Sequence, residues 1–388
     1  MAITPFTACI PEPLLQDMRR RLRSTRWADD FGNDDWAYGV ERQWLQDMVR
    51  YWADGFDWRL QETAINRFAQ FTTAIDGIPI HFIHIKGRGA PGIQPIPLIL
   101  THGWPWTVWD WKDVIGPLAD PVAHGGDAAD AFDVIVPSLP GYGFCGPLRS
   151  TGVSAQRVAE LWVELMASLG YPRFAAAGGD WGAIVTAQLG HVHSERLLGI
   201  YLTTPRLPGI DPSTLQERDF APDEAWMWQR IQAANPTIIS HAAVHINEPQ
   251  TLAYALADSP VGTAAWLWQR RRAWSDCQGD VESVFDRDFL CTTASIYWLT
   301  NSIGTSLRLY RETFSRGWNL QHQHQPSIPV PTGFGISPKE LRMLPRAWCE
   351  ARTNLQRWTI FPRGGHFAPA EQPEQLVAEY RAFFRAMR

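Results

Sequence analysis

Apolar residues recur in different patterns along the chain, and each pattern predicts a different kind of element. Near the N-terminus the spacing is three and four, which predicts an amphipathic helix opened by Pro11-Glu12-Pro13. The apolar stripe of this helix consists of Leu14, Leu15, Met18 and Leu22. From about residue 78 the spacing changes to two, and this alternation predicts a strand over 78–84. The chain to about residue 90 is therefore predicted to be helical and then extended.

Continuous apolar runs follow, and such runs are typical of strands that are buried on both faces. They lie at 97–101, 132–137, 174–178 and 197–202. Before the third run, the apolar residues from Val158 to Leu169 have helical spacing, with Ser154 as the N-cap and Gly170 just past the helix end. Buried strands that alternate with helices predict a parallel α/β sheet.

This alternation is interrupted after about residue 215. Residues 215–322 are rich in tryptophan and helical in periodicity, and strand signals resume at 328–332 and 357–361. A helical block inserted between two halves of a sheet predicts a lid. We therefore divide the chain into an N-terminal extension, a first core part, a helical lid and a second core part, at 1–90, 91–214, 215–325 and 326–388.

Composition narrows the possible classes of function. Charged residues make up 19% of the 388 residues, below the usual share of about 25%, and this balance predicts a sizeable core. A net charge of −5 excludes a generally basic nucleic-acid-binding protein. No apolar stretch reaches the roughly 18 residues that a membrane span needs, so no span is predicted.

The cysteines favour a reducing compartment, which we take to be the cytoplasm. There are 5 of them, an odd number, scattered along the chain and without a CxxC motif. This pattern predicts neither a disulfide framework nor a cysteine zinc site. The N-terminal residues lack a continuous apolar segment before their basic cluster, so no signal peptide is predicted.

The strongest chemical motif lies at residues 178–183, with the sequence GGDWGA. It follows a strand of small residues and opens a helix, which is the layout of a nucleophile elbow with glycines where a Cβ would clash. The central residue is Asp180 rather than a serine. A carboxylate can attack a saturated carbon and leave an alkyl ester on the enzyme. The alternative is a glycine-rich turn in which Asp180 only caps the helix.

An alkyl ester turns over only if a base activates water against it. In this kind of fold the acid and the histidine follow the nucleophile along the chain. His366 comes after two glycines in the loop that follows the last predicted strand, and we predict that it is the base. Glu340, which follows the preceding strand, is the predicted acid that orients it. The competing carboxylate, Glu350, lies in a helical stretch further on.

The intermediate formed during ester hydrolysis also needs donors for its oxyanion. A loop of sequence HGWP, at 102–105, follows the first core strand and can aim a backbone N–H group at the nucleophile. The residue after the nucleophile supplies a second N–H group. The predicted donors are therefore the backbone N–H groups of Trp104 and Trp181.

Together these motifs resemble the epoxide hydrolases of the α/β-hydrolase superfamily, in particular the microsomal-type branch with an N-terminal meander. The resemblance covers nearly the whole chain and rests on HGWP, GGDWGA, PKEL at 338–341, RGGHF at 363–367 and the stretch at 36–87. It implies an α/β-hydrolase fold, with a mostly parallel sheet, helices on both faces, a helical lid and a meander over 1–90. It also implies that Asp180 attacks an epoxide carbon and that His366, held by Glu340, activates the water.

The resemblance further implies that lid tyrosines protonate the opening ring. Tyr310 matches one of these positions, and a phenol with a pKa of about 10 can donate a proton while it stays neutral at pH 7. At the second expected position this chain has His241, which could donate through a ring N–H with a pKa near 6.5. Otherwise the site works with one phenol.

Trp106 stands where the family usually has a small residue, and it either faces the substrate at the pocket mouth or packs under the meander.

The resemblance thus implies a cofactor-free and metal-free hydrolysis of an epoxide to a vicinal diol. The partners are an apolar epoxide, with aromatic epoxides as candidates because tryptophans surround the motifs, and water; no nucleic acid is expected. Two alternatives stay open. One is a haloalkane dehalogenase with the same Asp, His and acid, and the other is a non-catalytic binding protein on this scaffold. The oligomeric state is also open, with a homodimer as one candidate.

Overall fold

The computed structural model describes residues 2–315 and 317–388, and these residues form one sheet of nine strands. The strands are β1 (Thr4–Phe6), β2 (Gln70–Ile75), β3 (Ile78–Ile85), β4 (Ile96–Thr101), β5 (Phe132–Pro137), β6 (Phe174–Gly178), β7 (Leu197–Leu202), β8 (Ile328–Ile336) and β9 (Thr353–Ile360). Their order in the sheet is β1-β2-β3-β5-β4-β6-β7-β8-β9. The first three strands join one another and β5 in antiparallel pairs, and the pairs from β5 to β9 are parallel.

Helices cover both faces of this sheet, and the predicted α/β-hydrolase fold is confirmed. They are α1 (Glu12–Arg23), α2 (Arg42–Asp54), α3 (Trp58–Ile65), α4 (Lys112–Ala119), α5 (Ala155–Ser168), α6 (Trp181–Val192), α7 (Ala225–Asn247), α8 (Pro249–Asp258), α9 (Pro260–Trp274), α10 (Arg287–Leu299), α11 (Ile303–Phe314), α12 (Arg346–Arg352), α13 (Ala368–Glu371) and α14 (Pro373–Phe384). None of these helices is both long enough and apolar enough to cross a bilayer.

Successive residues of the central strands belong to two separate cores. Leu98 and Leu100 of β4 pack in the core that includes α4 and α14, whereas Ile99 packs in the larger core that includes α5 and α6. Because the side chains of a strand alternate between its faces, a strand covered on both faces must be apolar at every position. This explains why the continuous apolar runs predicted β4, β5, β6 and β7 correctly.

The helices α7 to α11 lie between β7 and β8 in the chain, within the segment predicted as a lid. The N-terminal extension is joined to them by hydrogen bonds. The Trp52 indole donates to Ser295 Oγ at 2.9 Å, the Tyr51 hydroxyl donates to Asp288 at 2.6 Å, and Arg21 donates to the Asp258 carbonyl oxygen at 2.8 Å. The extension therefore packs against the outer part of the lid, on α8 and α10.

Candidate active site

Asp180 occupies the sharp turn between β6 and α6. Its backbone is in a strained region, with φ 51° and ψ −121°. A Cβ built on Gly182 would lie 1.9 Å from the Thr101 oxygen, and one on Gly178 would lie 2.5 Å from the Gly182 carbonyl carbon. The prediction that these two elbow positions must be glycine is therefore confirmed. The tight approach of β4, β6 and α6 holds the carboxylate of Asp180 at the carboxyl end of the sheet.

Two backbone donors hold one side of this carboxylate. The Trp104 N–H donates to Asp180 Oδ1 at 2.8 Å, and the Trp181 N–H donates to the same carboxylate. Burial raises the pKa of Asp180, but His366 and the two N–H groups outweigh burial and leave the pKa below its ordinary value. The carboxylate is therefore ionised at neutral pH, as a nucleophile must be, and its second oxygen is left for chemistry.

The loop that carries the Trp104 donor is fixed to the lid by a buried ion pair. Arg271 of α9 donates to Asp110 at 2.7 Å and to the Pro105 carbonyl oxygen at 2.9 Å. The Asp110 carboxylate also accepts the Thr107 N–H at 2.9 Å. Since both charged side chains are at most 1% exposed, solvent screens this pair little. Arg271 therefore ties α9 to the loop that carries the Trp104 donor.

His366 lies between two carboxylates. Its Nδ1 is 2.8 Å from Glu340 Oε1, and its Nε2 is 3.4 Å from Asp180 Oδ2. Burial would lower the pKa of His366, but the Glu340 and Asp180 carboxylates outweigh it and raise the pKa to about 10. The structure thus brings the predicted nucleophile, base and acid together, and the competing Glu350 pairs instead with Arg346 at 2.8 Å.

Thr204 connects two members of this group, and the sequence analysis did not identify it. The Asp180 N–H donates to Thr204 Oγ1 at 3.0 Å, and this hydroxyl donates in turn to Glu340 Oε2 at 2.9 Å. The second Glu340 oxygen, Oε1, also accepts the Leu341 N–H at 2.6 Å. Thr204 therefore fixes the distance between the elbow and the acid. A threonine just after a buried strand carries no motif that could have revealed this contact.

Glu371 holds the histidine loop and was likewise not predicted. Its carboxylate accepts the N–H groups of Gly365 at 2.9 Å, of Phe367 at 2.8 Å and of the lid residue Asp276 at 2.8 Å. Burial raises the pKa of Glu371 to about 7, although the three N–H groups act in the opposite direction. These bonds fix the backbone on both sides of His366 and join it to the lid.

Two lid side chains, Tyr310 and His241, line the cavity above Asp180. The ring of Tyr310, from α11, meets Trp181 edge-on at 4.7 Å, and its hydroxyl lies 3.2 Å from His241 Nε2. The His241 ring, from α7, stacks on Trp104 at 5.3 Å. Burial lowers the pKa of His241 to about 3, so this ring is neutral at physiological pH. The expected pKa near 6.5 for His241 therefore does not hold, because the ring is buried.

Trp106 is not among the residues that line the cavity above Asp180, which argues against the substrate-facing alternative. Its ring lies behind the histidine, 5.6 Å from the ring of His366 and 5.7 Å from that of Phe367, and it is fully buried. The Tyr297 hydroxyl donates to its carbonyl oxygen at 2.7 Å. Trp106 therefore packs against His366 and the loop that carries it.

A cavity of about 510 Å³ opens above the carboxylate. Asp180, His366, Tyr310 and His241 all line it, and isoleucines of α7 supply much of the apolar wall. Such a volume lies within the range of small-molecule sites. Among residues 2–315 and 317–388, no group of three or more His, Cys, Asp or Glu side chains is arranged to hold a metal ion.

Comparison with known proteins gives consistent results over the whole chain. The family model described as the epoxide hydrolase N terminus matches residues 3–111, and the model of the α/β-hydrolase fold matches residues 96–272. A protein of Stigmatella aurantiaca whose provisional name is epoxide hydrolase is 40% identical over 100% of this chain and 86% of its own length. Epoxide hydrolase 1 of Oryctolagus cuniculus is 30% identical over 98% of this chain and 88% of its own.

Solved structures agree with these sequence matches. The epoxide hydrolase of Aspergillus niger is 27% identical, with a TM-score of 0.87 over 100% of this chain and 97% of its own. The juvenile hormone epoxide hydrolase of the silkworm Bombyx mori is 26% identical, with a TM-score of 0.89 over 100% of this chain and 95% of its own. The likeness thus includes the N-terminal extension and the lid as well as the sheet.

Proposed function

The chain belongs to the epoxide hydrolases of the α/β-hydrolase fold, and from this premise we propose that it forms a vicinal diol through an alkyl ester on Asp180. The observation that carries the proposal is the placement of the two Asp180 oxygens. Oδ1 is held by the Trp104 N–H, whereas Oδ2 is 3.4 Å from His366 Nε2 on the cavity side. One oxygen is therefore positioned to attack and the other to accept developing charge.

In the first step, Asp180 Oδ2 attacks an epoxide carbon and the ring carbon–oxygen bond breaks. The electron pair of that bond moves to the ring oxygen, which takes a proton from the Tyr310 hydroxyl. An unprotonated alkoxide is a very poor leaving group, so the proton must arrive as the bond breaks. Burial, with a further contribution from Asp180, raises the pKa of Tyr310 well above 10, which keeps the proton on the phenol until then.

Neutral His241 supports this proton transfer. Its Nε2 is near enough to the Tyr310 hydroxyl to donate a hydrogen bond to the phenol oxygen. When the ring proton is on Nε2, His241 directs the phenol proton toward the cavity and stabilises the phenolate that remains. A halide leaving group would need no proton, so a buried phenol above the carboxylate supports an epoxide over a haloalkane as the substrate.

In the second step, His366 Nε2 takes a proton from water, and the water oxygen attacks the ester carbonyl carbon. The electron pair of the carbonyl moves to Oδ1, where the N–H groups of Trp104 and Trp181 stabilise the oxyanion. When this intermediate collapses, the bond from the carbonyl carbon to Oδ2 breaks, Oδ2 takes the proton of the added hydroxyl group, and the diol leaves. Asp180 is regenerated as a carboxylate beside a protonated His366, as in the free enzyme.

The charge of Asp180 controls when His366 can act as a base. In the free enzyme the Asp180 and Glu340 carboxylates hold the pKa of His366 at about 10, so the ring is protonated at neutral pH. Formation of the ester removes the Asp180 charge and leaves burial opposed by Glu340 alone. The pKa of His366 then falls, its proton passes through solvent to the Tyr310 phenolate, and the neutral imidazole becomes available to take a proton from water.

Tyr310→Phe is expected to slow ester formation by about 100-fold, because a positioned acid contributes about 10²–10⁴ to a rate. Rapid-quench measurement of ester formation with excess enzyme checks this. Tyr142→Phe is the matched control, because Tyr142 is also buried but does not line the cavity. An equal loss in both variants, or no loss in Tyr310→Phe, would contradict the role of Tyr310.

A single turnover in ¹⁸O-labelled water tests the covalent step. With enzyme in excess, the first diol is expected to carry no label, since both its oxygens come from the ring and from Asp180. The label is expected in the peptide that contains Asp180, as measured by mass spectrometry. When the labelled enzyme is moved to ordinary water and given fresh epoxide, it should pass the label to the diol. Label in the first diol would show direct attack by water and would rule out the ester.

A further inference from the structure

Two arginine side chains line the cavity, and the mechanism above uses neither of them. Arg206 lies two residues after Thr204, and Arg342 lies two residues after Glu340. Thr204 and Glu340 are joined by a hydrogen bond of 2.9 Å, so the two segments that hold the triad run side by side at the ends of β7 and β8. Each of these segments places one guanidinium at the wall of the same cavity.

Neither arginine has a carboxylate partner within the described part of the chain. Arg206 forms no hydrogen bond or ion pair there, and Arg342 donates only to the neutral Asn235 Oδ1, at 3.0 Å. Burial and then the nearby Arg342 lower the pKa of Arg206 to about 10, against the opposing effect of Asp180 and Glu340. Both side chains are half-buried at the wall of the cavity, so an anion that enters the cavity can pair with two neighbouring guanidinium groups that have no acid partner of their own.

We propose that Arg206 and Arg342 bind a carboxylate of the substrate, so that this enzyme acts on epoxides with an apolar body and a carboxylate end. The inference rests on the proposed function and adds the chemical class of the substrate. A guanidinium presents parallel N–H donors that match a carboxylate. The isoleucines of α7 offer the apolar wall for the rest of the molecule. The cavity therefore contains both the reacting carboxylate, Asp180, and two cationic side chains.

The charge balance during the reaction supports the same conclusion. Formation of the ester neutralises Asp180, which is one of the two carboxylates whose charge acts on Arg206. A substrate carboxylate would supply the counter-charge at that stage. Asp211 also lines the cavity, but it is exposed to solvent and its carboxylate accepts the Ser213 N–H at 2.9 Å. It therefore competes little for the guanidinium groups.

Binding of two unreactive probes separates this site from the chemistry. We expect para-ethylbenzoate to bind at least about 10-fold more tightly than para-ethylbenzamide, which has the same shape without the charge. Calorimetry on the wild-type enzyme measures the ratio. In Arg206→Met and Arg342→Met the ratio is expected to fall below about 2, whereas Arg206→Lys keeps the charge and should retain part of the preference. Arg218→Met is the control. Arg218 also follows β7, but it is exposed to solvent and does not line the cavity.

The matching epoxides, para-oxiranylbenzoate and para-oxiranylbenzamide, give the kinetic counterpart. The preference for the benzoate is expected in KM more than in kcat. If the arginines only balanced the charges of Glu340 and Asp180, their loss would slow both epoxides together and leave the ratio unchanged, which would overturn the proposal. Equal binding of the two probes by the wild type would also overturn it. Diol formation from the benzamide would then still support epoxide hydrolysis, so the two proposals fail separately.

Discussion

Replacing Asp180 with alanine is expected to stop diol formation, with kcat lowered at least about 10⁴-fold, as for other residues that act as part of one catalytic unit. The physical reason is that the variant lacks the carboxylate that bonds to carbon, so neither ester formation nor ester hydrolysis remains. The oxyanion donors and the lid phenol stay in place, but they have no bound intermediate to stabilise. Diol release measured by chromatography at saturating epoxide gives the rate.

Acid quenching during turnover distinguishes this loss from a folding defect. The wild-type peptide that contains Asp180 should gain the mass of the epoxide, and the variant peptide should not. Circular dichroism and thermal unfolding establish whether the variant is folded. Glu350→Ala is the matched control, because the side chain of Glu350 is 49% exposed and lies outside the cavity. Activity in Asp180→Ala above about one-hundredth of wild type would contradict a nucleophilic role.

His366→Gln is expected to give the opposite kinetic pattern, in which the ester forms but does not turn over. Glutamine can occupy the space and donate a hydrogen bond, but it cannot take a proton from water, so ester hydrolysis should slow by about 10³-fold. Ring opening needs Asp180 and Tyr310 and should continue. We therefore expect one equivalent of epoxide to be consumed quickly and almost no diol to follow.

Intact-mass spectrometry should show the enzyme carrying one added substrate in this variant. Trp104 and Trp181 adjoin the nucleophile, so stopped-flow tryptophan fluorescence should follow ester formation and its decay separately. Glu340→Gln should slow the same step to a smaller degree, because Glu340 orients the base without touching the ester. Steady diol formation by His366→Gln at the wild-type rate, or the absence of a burst, would exclude His366 as the base.

Strands buried on both faces were predictable from the sequence, whereas the two strands at the N-terminal end of the sheet were not. The central strands β4 to β7 follow from continuous apolar runs, because both of their faces are covered. β1 and β2 were missed, since Thr4–Phe6 is only three residues long at the sheet edge and Gln70–Ile75 mixes polar and apolar residues. Their strand conformation depends on pairing with each other and with β3, which no local pattern encodes.

In the candidate site, too, some residues were predictable from the sequence and others were not. Asp180, Glu340 and His366 follow individual strands, so chain order and glycine motifs were enough to predict that they meet. Thr204 and Glu371 act through hydrogen bonds that form only in the folded chain, and nothing in their neighbouring sequence indicates those contacts. The direction of the Trp106 ring depends on how its loop packs against His366 and Phe367, and no local pattern in the sequence indicates it.

The proposed catalytic groups and the cavity wall come from different parts of the architecture. Asp180, Glu340 and His366 sit on loops at the ends of strands, whereas α7 supplies a large share of the surface that a ligand would meet. A change of side-chain size on the cavity face of α7 would alter the shape of the pocket without displacing those strand ends. Descendants of this chain could therefore diversify in the molecules they accept while the reaction itself is inherited unchanged.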